Sequence, residues 1–162
     1  DLTRTAAGSS NGSGIASAAS LAAATVGTDT TGSIMGPSSI MGLVGMRPSL
    51  ALISRRGIVP VSLTQDTAGP LTRTVTGFDM MLNVMAGSDP GDSWSEEADA
   101  NKSDYTAGLS TNALQGVRLG VFRNTSSVNE ETLPLFEEAL QVLAAQGAEL
   151  VELPDDVSQA TA

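Results

Sequence analysis

The amino-acid sequence predicts an α/β fold, a mixed and partly parallel β-sheet covered by α-helices. Three observations predict it. Toward the C-terminal end, GVRLGVFR, EETLPLFEEALQVLAAQG and AELVEL read as strand, helix and strand, a unit whose crossover makes the two strands parallel. Upstream, short apolar runs alternate with segments of helical spacing in a chain of 162 residues, one domain or one piece of a larger one. The composition is 41% hydrophobic but only 3% aromatic, with Ala, Gly, Ser and Thr carrying much of the bulk. Packing must therefore rely on the close approach of small side chains.

In chain order, a loop at 6–13 leads into an Ala-rich helix from Ser13 to Ala24, whose small residues on every face suit burial on all sides. A short strand at 25–28 follows. DTTGS, from Asp29 to Ser33, makes a Gly-containing turn into a second helical segment at 33–42, with Pro37 in its first turn. Residues 43–64 read as short extended pieces. In IMGLVGM and ISRRGIVPV the apolar residues recur at intervals that a flexible linker would lack. Thr72 or Thr74 then caps a helix to Ala86, with Val75, Phe78, Met81, Leu82 and Met85 at helical spacing and Gly87 as its stop. Residues 88–112 are polar and acidic and read as a long surface excursion, the loosest stretch. The strand-helix-strand unit fills 117–153, and Asp155 or Asp156 starts a further helix.

Composition removes whole classes of chemistry. The net charge is -10, and residues 1–60 carry +2 of it against -12 for the remainder. A phosphate backbone would be repelled, so nucleic acid is excluded as a partner. No apolar run is long enough to span a membrane, and the first residues lack the pattern of a signal peptide. The chain has no Cys, which excludes disulfides, thiolate metal sites and cysteine nucleophiles and weakly favours a reducing, cytoplasmic compartment. It also has no His, so neither an imidazole metal site nor a Ser-His-Asp triad can form within it.

Three readings compete for the Gly/Ser-rich beginning. A phosphate cradle wants G-x-x-x-x-G-K-[ST] or G-x-G-x-x-G, and GSSNGSG has no Lys and the wrong glycine spacing. A nucleophile elbow wants Gly on both sides of Ser, and Gly32-Ser33-Ile34 fails that. The third is a serine hydrolase with Lys and a bridging Ser in place of His. A hydroxyl is a poor nucleophile until a base takes its proton, and a desolvated neutral Lys can take it through a second Ser. Such a site also needs backbone N–H groups for the developing oxyanion, as a Gly-containing turn before the nucleophile supplies. DTTGS is such a turn and GSSNGS, Gly8 to Ser13, is a second Ser cluster.

GSSNGSGIASAASLAAATVGTDTTGSIMGPSSIMGLVGMRPS, followed by SRRGIVPVSLTQDTAGPLTRTV, resembles the signature region of the amidase signature family from Asp1 to Gly87, and GVRLGVF looks like the strand that follows it there. Within the family, SRRGIVPVSLTQDTAGP is most similar to the peptide amidases, which deamidate C-terminally amidated peptides. The resemblance implies the amidase signature fold and hydrolysis of a carboxamide C–N bond, with ammonia released and no cofactor or metal. An amidase-like subunit of an amidotransferase, or a non-catalytic amidase-like segment, is the alternative. It also implies that residues 1–162 are the central part of a single domain whose catalytic Lys lies upstream, so that this stretch alone lacks activity. Ser33 matches the family nucleophile and Ser9, 24 positions earlier, the bridging Ser, with a cis peptide between Gly8 and Ser9. The backbone N–H groups of Thr30, Thr31, Gly32 and Ser33 match the oxyanion hole, and Asp29 and Ser10 match polar residues that hold these turns. Three positions depart from the common pattern: Asn11 and Thr31 stand where many members have Gly, and Met35 where many have Arg. An uncharged neighbour suits an uncharged amide. Lys102, in the acidic excursion, reads as a solvated surface charge.

Overall fold

The computed structural model describes residues 3–123 and 129–154. The chain divides into two compact units, 1–108 and 109–162. In the first, helix α1 (Asn11–Ala18), strand β1 (Thr25–Asp29), helix α2 (Met35–Met41) and the short strand β2 (Val44–Gly45) precede strand β3 (Thr67–Thr72) and helix α3 (Val75–Met85). The three strands form one antiparallel sheet in the order β1-β3-β2, with Gly27 opposite Gly69 and Asp29 opposite Thr67. Every residue of β3 is buried.

Strand β3 is absent from the sequence-based expectation, and its composition shows why. TAGPLT has neither the alternation of a half-exposed strand nor a run of β-branched residues, and a proline inside a strand normally argues against one. Pro70 is tolerated because β2 pairs only with Leu71 and Thr72 and stops short of it.

Helix α3 follows the expectation closely. The Thr74 hydroxyl accepts the Gly77 N–H at 3.1 Å as its N-cap. Phe78 and Leu82 pack with Ile53 and Ala68 into the core, bordered by Val44, Leu52, Ile58, Met85 and Tyr105. Burial of each of these two large side chains contributes about 1.5–3 kcal/mol. Helix α1 is a correction. It starts at Asn11 and ends at Ala18, not Ser13 to Ala24, because the chain turns at Ser20 with φ +58°; only Gly14 and Ser17 of it are buried, and Ile15 stays exposed. Its small residues do what the composition requires. Ser13 and Ser17 donate to the carbonyls of Val26 and Leu71 at 2.7 and 3.2 Å, which draws the helix directly onto β1 and β3.

The 88–112 stretch is also more ordered than its polarity implies. It carries three short helical turns, at Ser93–Ser95, Ala98–Asn101 (α4) and Tyr105–Gly108. Buried Asp92 accepts the Arg55 backbone N–H at 2.9 Å and pairs with its guanidinium at 3.3 Å, while that guanidinium stacks 4.6 Å from the Trp94 ring centre. Lys102 is not simply solvated: it pairs with Asp99 at 2.6 Å and, with the Ser88 hydroxyl, holds that carboxyl down to about 2.

The second unit is the expected strand-helix-strand. Strand β4 (Arg118–Val121) and strand β5 (Glu149–Glu152) pair in parallel on either side of helix α5 (Leu133–Ala145), and Arg123 bridges to Glu137 and Glu152. The expected helix start at Asp155 or Asp156 lies outside the described residues.

Candidate active site

Strand β1 ends in Asp29, and the turn Thr30 to Ser33 carries the chain from it into α2. The Asp29 side chain is fully buried. Its carboxylate accepts the N–H groups of Gly32 and Ile34, both at 2.7 Å, and more weakly that of Met35 at 3.4 Å. The Ile34 and Met35 N–H groups are donors that a helix start leaves without intrahelical partners, and Gly32 lies in the turn before it, so a single acidic residue fixes the turn and the entry to α2 together. Gly32 sits at φ +119°, a conformation side chains rarely adopt. Thr31 is not in the left-handed region, which is why a β-branched residue fits there.

The first Ser cluster is bound to the same turn. The Ser10 hydroxyl donates to the Thr28 carbonyl and accepts the Thr28 N–H, both at 3.0 Å. The approach requires Gly27, since a Cβ there would lie 2.7 Å from the Ser10 Oγ. The Ser10 N–H then donates to the Ser33 carbonyl at 3.1 Å. The peptide unit that joins Ser9 to Ser10 is thus bonded to Ser33, and two motifs 24 positions apart in sequence become neighbours. The Gly8–Ser9 peptide is cis. Ser9 is exposed and lines a cleft of about 460 Å³ with Ser10, Ser13, Ile53, Ile58 and Met85.

Of the four backbone donors expected at an oxyanion hole, that of Gly32 is occupied by Asp29. Those of Thr30, Thr31 and Ser33 meet no acceptor among the described residues. The Ser33 hydroxyl likewise has no protein partner among them.

Two residues that sequence reasoning missed brace the turn. Arg47 lies with its Nε 3.6 Å from the Asp29 carboxylate, beyond hydrogen-bond range, and its Nη2 donates to the Gln65 carbonyl at 2.5 Å. Asp66 accepts the Thr30 hydroxyl at 2.5 Å. The QDTAGP string holds Asp66, but nothing local in it announces a partner 36 positions away.

Burial pushes the Asp29 carboxyl up, but the Ile34, Gly32 and Met35 N–H groups and the Arg47 charge outweigh it and hold the group below the ordinary aspartate value of 3.8. Asp66 is also held down, first by the Thr30 hydroxyl. A depressed folded-state value means that the unfolded chain binds more protons in acid. The stability these groups contribute is therefore complete above the ordinary value of 3.8 and is lost as the pH falls through it toward their lowered folded values. Thermal melts are expected to stay level from pH 7 to about 5 and to drop steeply below about 4.

Among the described residues no cluster of three or more metal-ligating side chains is present, and no helix is long and apolar enough to cross a membrane. Several known proteins are similar to this chain. A putative amidase of Arthroderma benhamiae is 41% identical over 93% of this chain and 26% of its own length. A glutamyl-tRNA(Gln) amidotransferase subunit of Acinetobacter baylyi is 40% identical over 94% of this chain and 31% of its own. The crystal structure of the native peptide amidase from Stenotrophomonas maltophilia superposes with a TM-score of 0.87 at 37% identity, over 99% of this chain and 34% of that one. The chain thus spans about a third or less of the relatives it matches. The Amidase family model covers residues 1–160, and with the two Ser motifs joined at one turn the conclusion is plain: the chain belongs to the Amidase family.

Proposed function

We propose that these residues hold the nucleophile, relay and oxyanion donors of an enzyme that hydrolyses a carboxamide C–N bond. Ser33 Oγ attacks the carbonyl carbon, and its proton passes through Ser9 toward the family's base lysine, a role for which Lys102, paired with Asp99, is unsuited. The oxygen of the tetrahedral intermediate takes hydrogen bonds from the Thr31 and Ser33 N–H groups. The relayed proton returns to the nitrogen, ammonia leaves, and water attacks the Ser33 ester to release the carboxylic acid. The observation that carries this reading is the division of donors at the turn: Asp29 consumes the Gly32 and Ile34 N–H groups, whereas the Thr31 and Ser33 N–H groups and the Ser33 hydroxyl meet no partner among the described residues. Open donors beside a nucleophile receive a developing anion without reorganisation.

A fluorophosphonate probe tests this without knowledge of the substrate, because the nucleophile displaces fluoride from phosphorus and keeps the phosphonyl group. Peptide mapping is expected to find it on Ser33 in protein expressed from the complete reading frame. Modification of another serine, or none in protein that hydrolyses amides, overturns the assignment. Ser9→Ala should slow both labelling and turnover by about 10²- to 10⁴-fold, the range for a lost proton relay; an unchanged rate would reduce Ser9 to a turn residue.

C-terminal peptide amides are the substrate class we favour, supported by the peptide amidase similarity and by uncharged Met35 after the nucleophile. The amidotransferase relatives favour a second reading, glutamine as the amide donor for a partner protein. Ammonia release from a peptide amide and from glutamine, measured side by side, separates the two.

A further inference from the structure

We propose that Asp66 is a positioning residue for the oxyanion donor at Thr31, acting through the Thr30 hydroxyl; this rests on the reading of Ser33 as nucleophile. Asp66 is 5% exposed and stands just before β3. Its two carboxylate oxygens have separate tasks. Oδ2 accepts the N–H groups of Val61 and Ser62 at 2.7 and 2.9 Å, closing its own loop, whereas Oδ1 takes only the Thr30 hydroxyl, at 2.5 Å. A residue serving its loop alone would have no use for that second bond.

The consequence for the turn follows from covalent geometry. The torsions of Thr30 set the plane of the peptide unit that joins it to Thr31, and that unit carries the Thr31 N–H. Thr30 is β-branched, so fixing its Oγ1 fixes χ1 and narrows the backbone torsions available to it. Asp29 holds the far side of the turn, at Gly32 and Ile34. Between them lies Thr31, which is exposed. Asp66 therefore supplies the anchor on the strand side. Arg47 ties the two acidic anchors together, with Nη2 on the carbonyl of Gln65, next to Asp66, and Nε facing Asp29.

Thr30→Val isolates the effect, since it is nearly isosteric and leaves the Val61 and Ser62 bonds of Asp66 in place. At a temperature where circular dichroism shows the variants folded, it is expected to lower kcat on a C-terminal peptide amide about 10- to 100-fold, the range for a misplaced catalytic group, with KM changed less than about twofold. Affinity for a peptidyl trifluoromethyl ketone, whose Ser33 adduct carries the oxyanion, should fall in parallel, and so should the rate of fluorophosphonate labelling. Thr30→Ser keeps the hydroxyl and should recover most of each loss. A Thr30→Val enzyme within twofold of wild type in kcat and labelling overturns the proposal, as does a loss that Thr30→Ser does not repair. If Ser33→Ala is inactive while Thr30→Val is normal, the positioning role alone fails. If Ser33→Ala stays active, the nucleophile reading fails and takes this proposal with it.

Discussion

Ser33→Ala, in protein expressed from the complete reading frame, is expected to lose at least about 10⁴-fold in kcat, because the bond-forming atom itself is removed and no neighbouring group can form the acyl ester. Folding should survive. The Ser33 contact that joins the two motifs is made by its backbone carbonyl, which alanine retains. Substrate affinity should survive as well, so the variant is expected to bind a peptide amide with a dissociation constant near the wild-type KM while releasing no ammonia. The two measurements distinguish loss of a nucleophile from loss of the fold. More than a few per cent of wild-type kcat with an intact circular dichroism spectrum would reassign the nucleophile.

The parts of this molecule that could be read in advance are those whose cause is local. Helix α3 announces itself through the Thr74 cap, five apolar residues at helical spacing and the Gly87 stop, and the β4-α5-β5 unit through clean periodicity. The two Ser motifs could be read because their chemistry is written in consecutive residues. Strand β3 could not, because a strand buried throughout shows no alternation and because Pro70 is acceptable only where β2 has already ended. Asp92 and Trp94 looked like solvent-facing polar sequence until Arg55, 37 positions before Asp92, packed against both. Arg47 and Asp66 belong to the same class. Each acts on the turn across a long loop, and an acid or a guanidinium has no sequence pattern that names a distant partner. The donors of the candidate site were likewise only half legible: a Gly-containing turn promises open N–H groups, but which of them remain open is decided by where the Asp29 carboxylate points.

Asp29 should accordingly be the residue whose loss damages stability and catalysis together. In Asp29→Ala the Gly32 and Ile34 N–H groups lose short, charge-assisted bonds, and a buried donor left without an acceptor costs about 1–3 kcal/mol. The deficit, about 1–3 kcal/mol at the buried Ile34 N–H and less at the half-buried Gly32 N–H, is a large share of a net stability of about 5–15 kcal/mol. The Arg47 Nε, already without a hydrogen-bond partner, would also lose its counter-charge. Asp29→Asn keeps the shape but not the function. Its amide oxygen can serve one of the two strong donors, while its NH₂ group must confront the other, so asparagine is expected to recover less than half of the lost stability. Alanine should release both N–H groups and asparagine one of them, letting the turn move, with kcat falling by up to about 10²- to 10³-fold, the cost of a disabled oxyanion hole. Acid titration adds an independent check. The asparagine variant has no carboxylate to protonate at this position, so its stability should decline less than that of the wild type between about pH 5 and pH 2. Equal acid sensitivity in the two proteins, or a melting temperature within about 1 °C of wild type for Asp29→Ala, would mean that the turn is held by its backbone and by Asp66, and that Asp29 is a bystander in stability.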